Sequence, residues 1–217
     1  IFVEDKEVII NEPADALRYG IGMVHQHFML IPVFTVAENI ALGREESKGV
    51  FLTLDEVKRK IKALADEFKF DIDPDALIED LPVGVQQRVE IIKALIYDAK
   101  VLILDEPTAV LTPQETDELL NIMRTLREKG TSIIFITHKL REVKEVADKI
   151  TIIRLGKVVG TASPDASQEE LASMMVGRQV DLAPNKGEVK AGRVVLDINK
   201  LNVANSLGRK IINSLSL

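Results

Sequence analysis

Two adjacent carboxylates follow one of the most apolar runs of the sequence. Residues 101–104 are Val-Leu-Ile-Leu, and Asp105 and Glu106 come directly after them. A fully apolar run of this kind is typical of a strand buried on both faces, and α/β sheets place their ligands where such strands end. One carboxylate there can hold Mg²⁺, and the other can polarise a water for attack on a phosphate. A polar turn that only closes a strand is the alternative.

Two other polar side chains follow apolar runs in the same way. His138 comes directly after residues 132–137, and Gln26 comes directly after residues 21–25. If the run at 132–137 is a strand beside the carboxylate strand, we expect His138 at the same sheet edge as Asp105 and Glu106. A neutral imidazole can hydrogen-bond a phosphate oxygen or a water, and an amide can contact metal and water without taking the proton. A loop or capping role for His138 is the alternative.

The two histidines that flank Gln26 suggest a different kind of site. On a strand, His25 and His27 would point the same way, as two ligands of one metal do. A zinc site needs three or four protein ligands, and no third ligand is evident in the sequence, which also has no cysteine. We therefore do not expect zinc here.

A glycine-containing turn leads into a polar helix at residues 81–90. Backbone N–H groups at a helix N-terminus form an anion site, and Gly84 allows a ligand to approach the backbone closely. An ordinary helix start with Pro82 in the first turn explains the same residues. Alone, this segment leaves both interpretations open.

Strands and helices alternate in the middle of the chain and must position these residues. Apolar runs at 101–104 and 132–137, separated by a helical pattern, predict buried parallel strands with helical crossovers. Capping signals predict helix starts at Thr35, Thr53, Thr112 and Ser167. The other predicted elements are β runs at 1–4 and 8–10, helices at about 85–97 and 140–147, and a hairpin of 149–154 with 158–161.

Composition and length restrict the class of protein. The chain has 217 residues, 46% of them hydrophobic, and a formal net charge of −6. This is enough apolar material for a sizeable core, and the acidic balance does not favour nucleic-acid binding. The apolar runs are too short to span a bilayer, and no leader pattern is visible.

The two ends of the sequence suggest a piece of a longer protein. The chain opens on Ile1 without a methionine, within an apolar β-like run. Residues 181–192 are polar, with proline and glycine and no periodicity, and are typical of a linker. The apolar pattern resumes from Arg193, and we expect two strands of a new unit in residues 193–217.

The order of these segments along residues 1–180 resembles the ATP-binding cassette (ABC) family. Gln26 matches its glutamine loop, and residues 81–85 match its signature turn. The resemblance implies an α/β fold, a P-loop NTPase-like cassette with a mainly parallel sheet. It also implies an inserted helical subdomain at about 51–97 and a small antiparallel β portion.

The resemblance also implies roles for individual residues, with ATP and Mg²⁺ as cofactors. Glu106 would be the catalytic carboxylate and His138 the switch histidine, while Gln26 would assist catalysis. Asp105 and Gln26 would hold Mg²⁺. The residues implied to contact the nucleotide are Val83, Gly84, Val85, Gln86 and Asp105.

Longer matching segments resemble the importers of simple sugars and nucleosides that carry two cassettes in one chain. These segments are residues 22–28, 108–115, 136–143 and 174–178. The resemblance implies an ATPase subunit on the cytoplasmic side of the cell membrane, bound to transmembrane permease subunits and indirectly to a substrate-binding protein, with no nucleic acid. Residues 1–180 would be the first ABC domain, 181–192 a linker and 193–217 the start of a second ABC domain.

Three departures from the family pattern limit this expectation. No Gly-x-x-x-x-Gly-Lys-Ser/Thr segment occurs, since the sequence's Gly156-Lys157 is followed by valine. Pro82 and Val85 replace the serine and glutamine of the usual signature, and Thr112 replaces an aspartate. We expect little ATPase activity from this chain alone. The alternatives are a regulatory cassette that binds ATP with little turnover, and a soluble ABC protein that acts outside transport.

Overall fold

The computed structural model describes residues 1–42, 54–96, 99–180, 192–204 and 208–217. The chain divides into two compact units, Ile1–Val180 and Asp181–Leu217. The predicted cap at Thr53, residues 51–53 and 97 of the predicted helical subdomain, and residues 181–191 of the predicted linker lie outside the described residues.

The elements of the described residues follow the predicted α/β order. The strands are β1 (Phe2–Val3), β2 (Lys6–Glu7), β3 (Ile21–Val24), β4 (Val101–Asp105), β5 (Ser132–Ile136), β6 (Ile150–Arg154), β7 (Lys157–Ala162), β8 (Leu201–Ala204) and β9 (Lys210–Leu215). The helices are α1 (Pro13–Arg18), α2 (Val36–Ala41), α3 (Leu54–Phe68), α4 (Val83–Leu95), α5 (Pro113–Glu128), α6 (Leu140–Val146) and α7 (Gln168–Val176), with a 3₁₀ turn at Ile78–Asp80.

A parallel sheet of order β3-β4-β5 carries the candidate site. Its register pairs Val24 with Leu104 and Asp105 with Ile136, so the three strands end at nearly the same level. The other strand pairs, β1–β2, β6–β7 and β8–β9, are antiparallel. This arrangement confirms the predicted mixture of a parallel sheet with small antiparallel parts.

The prediction of a buried strand at 132–137 is wrong for one face of that strand. Leu102 and Leu104 of β4 are buried, but Ile134 and Ile136 of β5 are 52% and 46% exposed. Successive side chains of a strand point to opposite faces. In β5 the alternate residues, among them Phe135, pack against the main core, while Ile134 and Ile136 lie on the other face.

Helices α4 and α5 pack their apolar sides against this sheet, and α3 packs against α2 and α4 in the same core. Ile61, Ile92 and Leu120 are fully buried in the same core cluster as Leu102. Burying each such side chain contributes roughly 1.5–3 kcal/mol. This packing fixes the sheet, and with it the positions at which the strands end.

The predicted helix caps at Thr35, Thr112 and Ser167 are confirmed. In α5 the Thr112 hydroxyl accepts a bond from the Glu115 N–H, and the Glu115 carboxylate accepts from the Thr112 N–H at 2.9 Å. The same reciprocal pairing starts α2. These bonds satisfy N–H groups that a helix start otherwise leaves unpaired.

Some predicted boundaries need correction. The run at 8–10 is not a strand, because the chain turns at Glu4 and Asp5, both with positive φ, and Lys6–Glu7 then pairs with Phe2–Val3. Helix α4 begins at Val83, two residues before its predicted start, since Pro82 is its N-cap with φ −56°. The β6–β7 hairpin turns at the predicted residues 155–156.

The unit at Asp181–Leu217 contains an antiparallel pair. Strands β8 and β9 pair with register shifts, and Ile198 and Leu217 exchange two backbone hydrogen bonds. The prediction of two strands in residues 193–217 therefore agrees with the structure, although β8 begins only at Leu201. In the described part of the chain, every helix is too short or too polar to cross a membrane.

Candidate functional site

The candidate site lies where the three parallel strands end. Asp105 is the last residue of β4 and Glu106 follows it, while Gln26 and His138 each lie two residues beyond the ends of β3 and β5. Side chains from three distant parts of the sequence therefore meet at the carboxyl edge of the sheet. Ligands of α/β proteins bind at this kind of edge.

Glu106 contacts both of the other predicted catalytic residues. The Gln26 amide nitrogen donates to Oε2 of Glu106 at 3.3 Å, and the His138 Nδ1 atom lies 2.9 Å from Oε1. The carboxylate is thus bracketed, with one neighbour on each oxygen. The Glu106 side chain is 28% exposed and that of His138 is 64% exposed, so water and a ligand can reach them.

The backbone of Glu106 has an uncommon conformation. Its φ is +44°, a region that non-glycine residues seldom occupy. Its N–H donates to the carbonyl of Ile136 at 2.9 Å, and its carbonyl accepts from Ala109. These two hydrogen bonds fix the backbone of Glu106 in a non-strand conformation. Costly conformations of this kind cluster at functional sites, which supports a functional interpretation of Glu106.

The chemistry of the donors fits Mg²⁺ better than zinc. Mg²⁺ is usually held by one or two protein carboxylates together with substrate phosphates and water. Asp105 and the amide oxygen of Gln26 are donors of that type. Among the described residues, no three His, Cys, Asp or Glu side chains are grouped so that they could hold a metal ion. His25 and His27 are exposed and belong to no such group.

The signature turn is the first turn of α4. The Gln86 side chain donates to the carbonyls of Ile78 and Leu81, at 3.2 and 2.9 Å, so its amide group is engaged within the turn itself. The N–H groups of Val85 and Gln86 donate to Pro82. The first-turn N–H groups left for a ligand are those of Val83 and Gly84.

Gly84 also has a packing role that the sequence does not reveal. A Cβ at this position would collide with the carboxylate of Glu115 in α5. Two hydrogen bonds from Thr112, first the backbone one and then the side-chain one, lower the pKa of Glu115 from its ordinary value. Among the described residues, no hydrogen bond joins the signature turn directly to Gln26, Glu106 or His138.

Two buried acidic residues next to the site were not predicted. Glu142 of α6 is 4% exposed and accepts from the Thr108 hydroxyl at 2.8 Å. Glu90 of α4 is 3% exposed and accepts from the N–H of Met29 at 2.8 Å. Glu142 lies four residues after His138, and this closeness in the sequence was the signal that could have placed it near the site. Its burial could not be inferred from spacing alone.

Comparison with known proteins decides the family. Residues 1–109, half of the chain, match the profile of the ABC transporter family. This chain belongs to the ABC transporter family. The resemblance on which the sequence predictions depend is therefore confirmed, and the P-loop NTPase-like cassette is the fold in which the sheet edge must be understood.

Other members of the ABC transporter family resemble the chain over most of its length. It is 50% identical over 218 residues to the nucleoside import ATP-binding protein NupA of Lactococcus lactis. This alignment covers 100% of the chain and 43% of NupA. It is 44% identical over 237 residues to a glucose import ATP-binding protein of Haloferax volcanii, covering 96% of the chain and 43% of the relative. The chain thus spans less than half the length of these relatives.

A solved ABC cassette shows the same fold. The nucleotide-free ATP-binding cassette of an ABC transporter superposes with a TM-score of 0.65 and 24% identity, over 80% of this chain and 71% of that one. This likeness supports the predicted fold class: an α/β cassette whose central sheet is parallel.

Proposed function

We propose that this chain is the nucleotide-handling part of an ATPase subunit that drives an ABC importer. The observation that supports this most directly is the Glu106 carboxylate, with Gln26 on one oxygen and His138 on the other, at the end of a parallel strand. Membership of the ABC transporter family supports it independently.

In this proposal each residue of the cluster has a distinct task. Glu106 accepts the proton of the attacking water, and the Gln26 amide orients that water without competing for the proton. His138 holds Glu106 through its Nδ1 atom and offers its exposed ring to the transferred phosphate. Asp105 and Gln26 would hold the Mg²⁺ that accompanies ATP, and this ion would neutralise phosphate charge.

The signature turn would contact a nucleotide through its backbone. Val83, Gly84, Val85 and Gln86 form the N-terminal turn of α4, a helix of 13 residues. Because the Gln86 side chain is engaged with Ile78 and Leu81, we infer that Val83 and Gly84 contribute most of the contact, through their N–H groups. Glycine at position 84 serves both this approach and the packing against Glu115.

The relatives support a substrate class and a set of partners. A nucleoside import protein at 50% identity favours nucleosides, and a glucose import protein at 44% makes simple sugars the second choice. The partners would be transmembrane permease subunits, a second ABC domain in the same chain or a dimer, and indirectly a substrate-binding protein. The subunit would act at the cytoplasmic side of the cell membrane.

The sequence contains no Gly-x-x-x-x-Gly-Lys-Ser/Thr segment to hold the phosphates. Phosphoryl transfer depends on positioning and charge neutralisation, so we expect little turnover from residues 1–217 alone. Robust hydrolysis by this chain that an Asp105→Ala substitution abolishes would contradict that expectation.

The proposal is tested on the full-length protein, in membranes with its permease, by the substitution Glu106→Gln. We expect the rate of ATP hydrolysis to fall by at least about 100-fold, the usual contribution of a positioned base. Glu128→Gln, an exposed glutamate of α5, is the matched control and should leave the rate unchanged. Unchanged hydrolysis in Glu106→Gln would remove Glu106 from the mechanism.

A regulatory cassette that binds ATP with little turnover is the second candidate. It is favoured by Pro82, which caps α4 without any side-chain hydrogen bond where the family usually has serine. Under this alternative the full-length protein binds ATP but turns it over slowly, and Pro82→Ser raises the rate. Under the main proposal, wild-type turnover is already high and Pro82→Ser changes it little.

A further inference from the structure

A buried carboxylate lies next to the candidate site but takes no part in the proposed chemistry. Glu142, in α6, has a side chain that is only 5% exposed. A buried charge is costly unless hydrogen bonds and an opposite charge compensate it. The groups that compensate Glu142 therefore indicate what the residue holds together.

The partners of Glu142 come from the two segments that carry Glu106 and His138. Its Oε2 atom accepts from the hydroxyl of Thr108, two residues after Glu106, at 2.8 Å. The same oxygen accepts from the hydroxyl of Thr137, the residue before His138, at 3.4 Å. One buried carboxylate thus joins the loop of the proposed base to the loop of the histidine.

Lys139 closes this network from the other side of His138. Its ammonium group lies 3.3 Å from Oε1 of Glu142 and donates to the carbonyl of Thr108 at 2.8 Å. Its backbone N–H donates to the Thr137 hydroxyl at 3.1 Å. Both neighbours of His138 in the chain are therefore bonded into one network with Glu142 and Thr108.

The His138 side chain has little other support. It is 64% exposed, and within the described parts of the chain the group at hydrogen-bond distance from it is the Glu106 carboxylate. An exposed side chain with one contact adopts a defined position only if its backbone is fixed. The network of Thr137, Lys139, Thr108 and Glu142 supplies that restraint.

We propose that Glu142 is a positioning residue that holds the His138 loop against the segment after Glu106. The proposal rests on the function proposed above, in which His138 and Glu106 act on ATP. Its effect is to place the imidazole beside Oε1 of Glu106 before the nucleotide arrives, so that this alignment is not left to be established during each turnover.

The kinetic test uses the full-length protein with Glu142→Gln, which keeps the shape of the side chain and removes its charge. We expect kcat to fall on the order of 10-fold with KM nearly unchanged, since the residue affects alignment and not binding. Glu145→Gln, in the same helix but outside this network, is the control: it weakens only the ion pairs of Glu145 with Arg141 and Arg124 and should change neither value.

A double-mutant cycle separates positioning from general destabilisation. If Glu142 acts through His138, then Glu142→Gln added to His138→Ala lowers kcat no further. An equal loss in both backgrounds would overturn the positioning proposal and leave the proposed function intact. If His138→Ala itself leaves kcat unchanged, the role of His138 in the proposed function is wrong.

A spectroscopic test on the 217-residue chain judges positioning without turnover. The chain has three histidines, so the ring signals of His138 can be assigned with His138→Ala. Glu142→Gln should shift the His138 signals and leave those of His25 and His27 in place. Thr108→Val, which removes one donor to Glu142, should cause a smaller shift of the same kind. Unshifted His138 signals in both folded variants would overturn the proposal.

Discussion

The glutamine loop, which follows β3 and carries Gln26, and the histidine loop, residues 137–139 with His138, contact the same carboxylate. They are anchored in different ways. Beyond Gln26, the backbone of Met29 is held from both sides by α4: its N–H donates to Glu90 and its carbonyl accepts from Lys93 at 3.0 Å. The histidine loop is held instead by Glu142 and by Thr108, in the segment that follows Glu106.

This difference divides the site between two supports. Helix α4 begins with the signature turn at Val83. About two turns later, its Glu90 accepts a hydrogen bond from the N–H of Met29. A shift of α4 would therefore carry the glutamine loop with it. The histidine loop is bonded to the segment after Glu106, so the contact between His138 and Glu106 can persist while that of Gln26 changes.

The strongest way to break this comparison is to remove the anchor of the glutamine loop. Glu90→Ala deletes a buried carboxylate and leaves the Met29 N–H without its acceptor. We expect the free energy of unfolding to fall by about 2–3 kcal/mol, as measured by urea denaturation. The Met29 amide should also lose protection against hydrogen exchange.

Two observations decide whether that loss is local. Glu128→Ala, an exposed glutamate of α5, should cost less than about 0.5 kcal/mol and serves as the control. The His138 ring signals should stay in place in Glu90→Ala, because their support lies elsewhere. If they shift as much as the Met29 amide does, the two loops share one support and the comparison is wrong.

A smaller effect is expected from the cap of α5, the helix that follows the Thr108 segment in the chain. The bonds from Thr112 lower the pKa of Glu115, so the stabilisation is present above its ordinary value of 4.5 and is lost as the pH falls through the lowered pKa. Thr112→Ala should cost about 1 kcal/mol near neutral pH. The difference from wild type should shrink in acid, as measured by urea denaturation across pH.

A pH-independent cost of Thr112→Ala would contradict the reciprocal bond with Glu115. Glu115→Gln is the matched variant, because its amide does not titrate. In that background, the cost of Thr112→Ala should not depend on pH. Neither substitution should move the signals of Met29 or His138, since the cap contacts neither loop in the described residues.

Local patterns in the sequence predicted much of the fold and the order of the site. The caps at Thr35 and Thr112 depend on residues three apart, which sequence spacing shows directly. The meeting of Glu106 and His138 follows from their strands being parallel neighbours. These features were accessible because each depends on few residues or on one simple rule of sheet geometry.

Features that depend on distant packing were not accessible. The apolar composition of residues 132–137 is the same whether or not both faces of β5 are covered, so the exposure of Ile134 was missed. The packing role of Gly84 depends on Glu115, 31 residues away in another helix. The burial of Glu142 likewise depends on Thr108 and Lys139.

The smallest expected effect concerns the ion pair that joins α4 to α5. Arg88 donates to Glu118 at 2.6 Å, and the two side chains are 23% and 59% exposed. The Arg88 guanidinium also lies 5.7 Å from the centre of the Phe70 ring. Because the acidic partner is largely in solvent, Glu118→Gln should cost less than about 0.5 kcal/mol, and salt should reduce that cost.

The small expected cost of Glu118→Gln bears on the comparison of the two loops. Helix α4 anchors the glutamine loop, and α5 follows the Thr108 segment that supports the histidine loop. If α4 can move without α5, their ion pair must add little to the core packing that the two helices share, and the charge on Glu118 should matter little. Arg88→Met also removes the guanidinium from the Phe70 ring, a cation–π contact worth roughly 0.5–1 kcal/mol, so it should cost about that much more than Glu118→Gln. A salt-insensitive loss above about 1 kcal/mol in Glu118→Gln would mean that this pair fastens the two helices to each other. The anchors of the glutamine and histidine loops would then be linked through α4 and α5, and the two loops would not be independent.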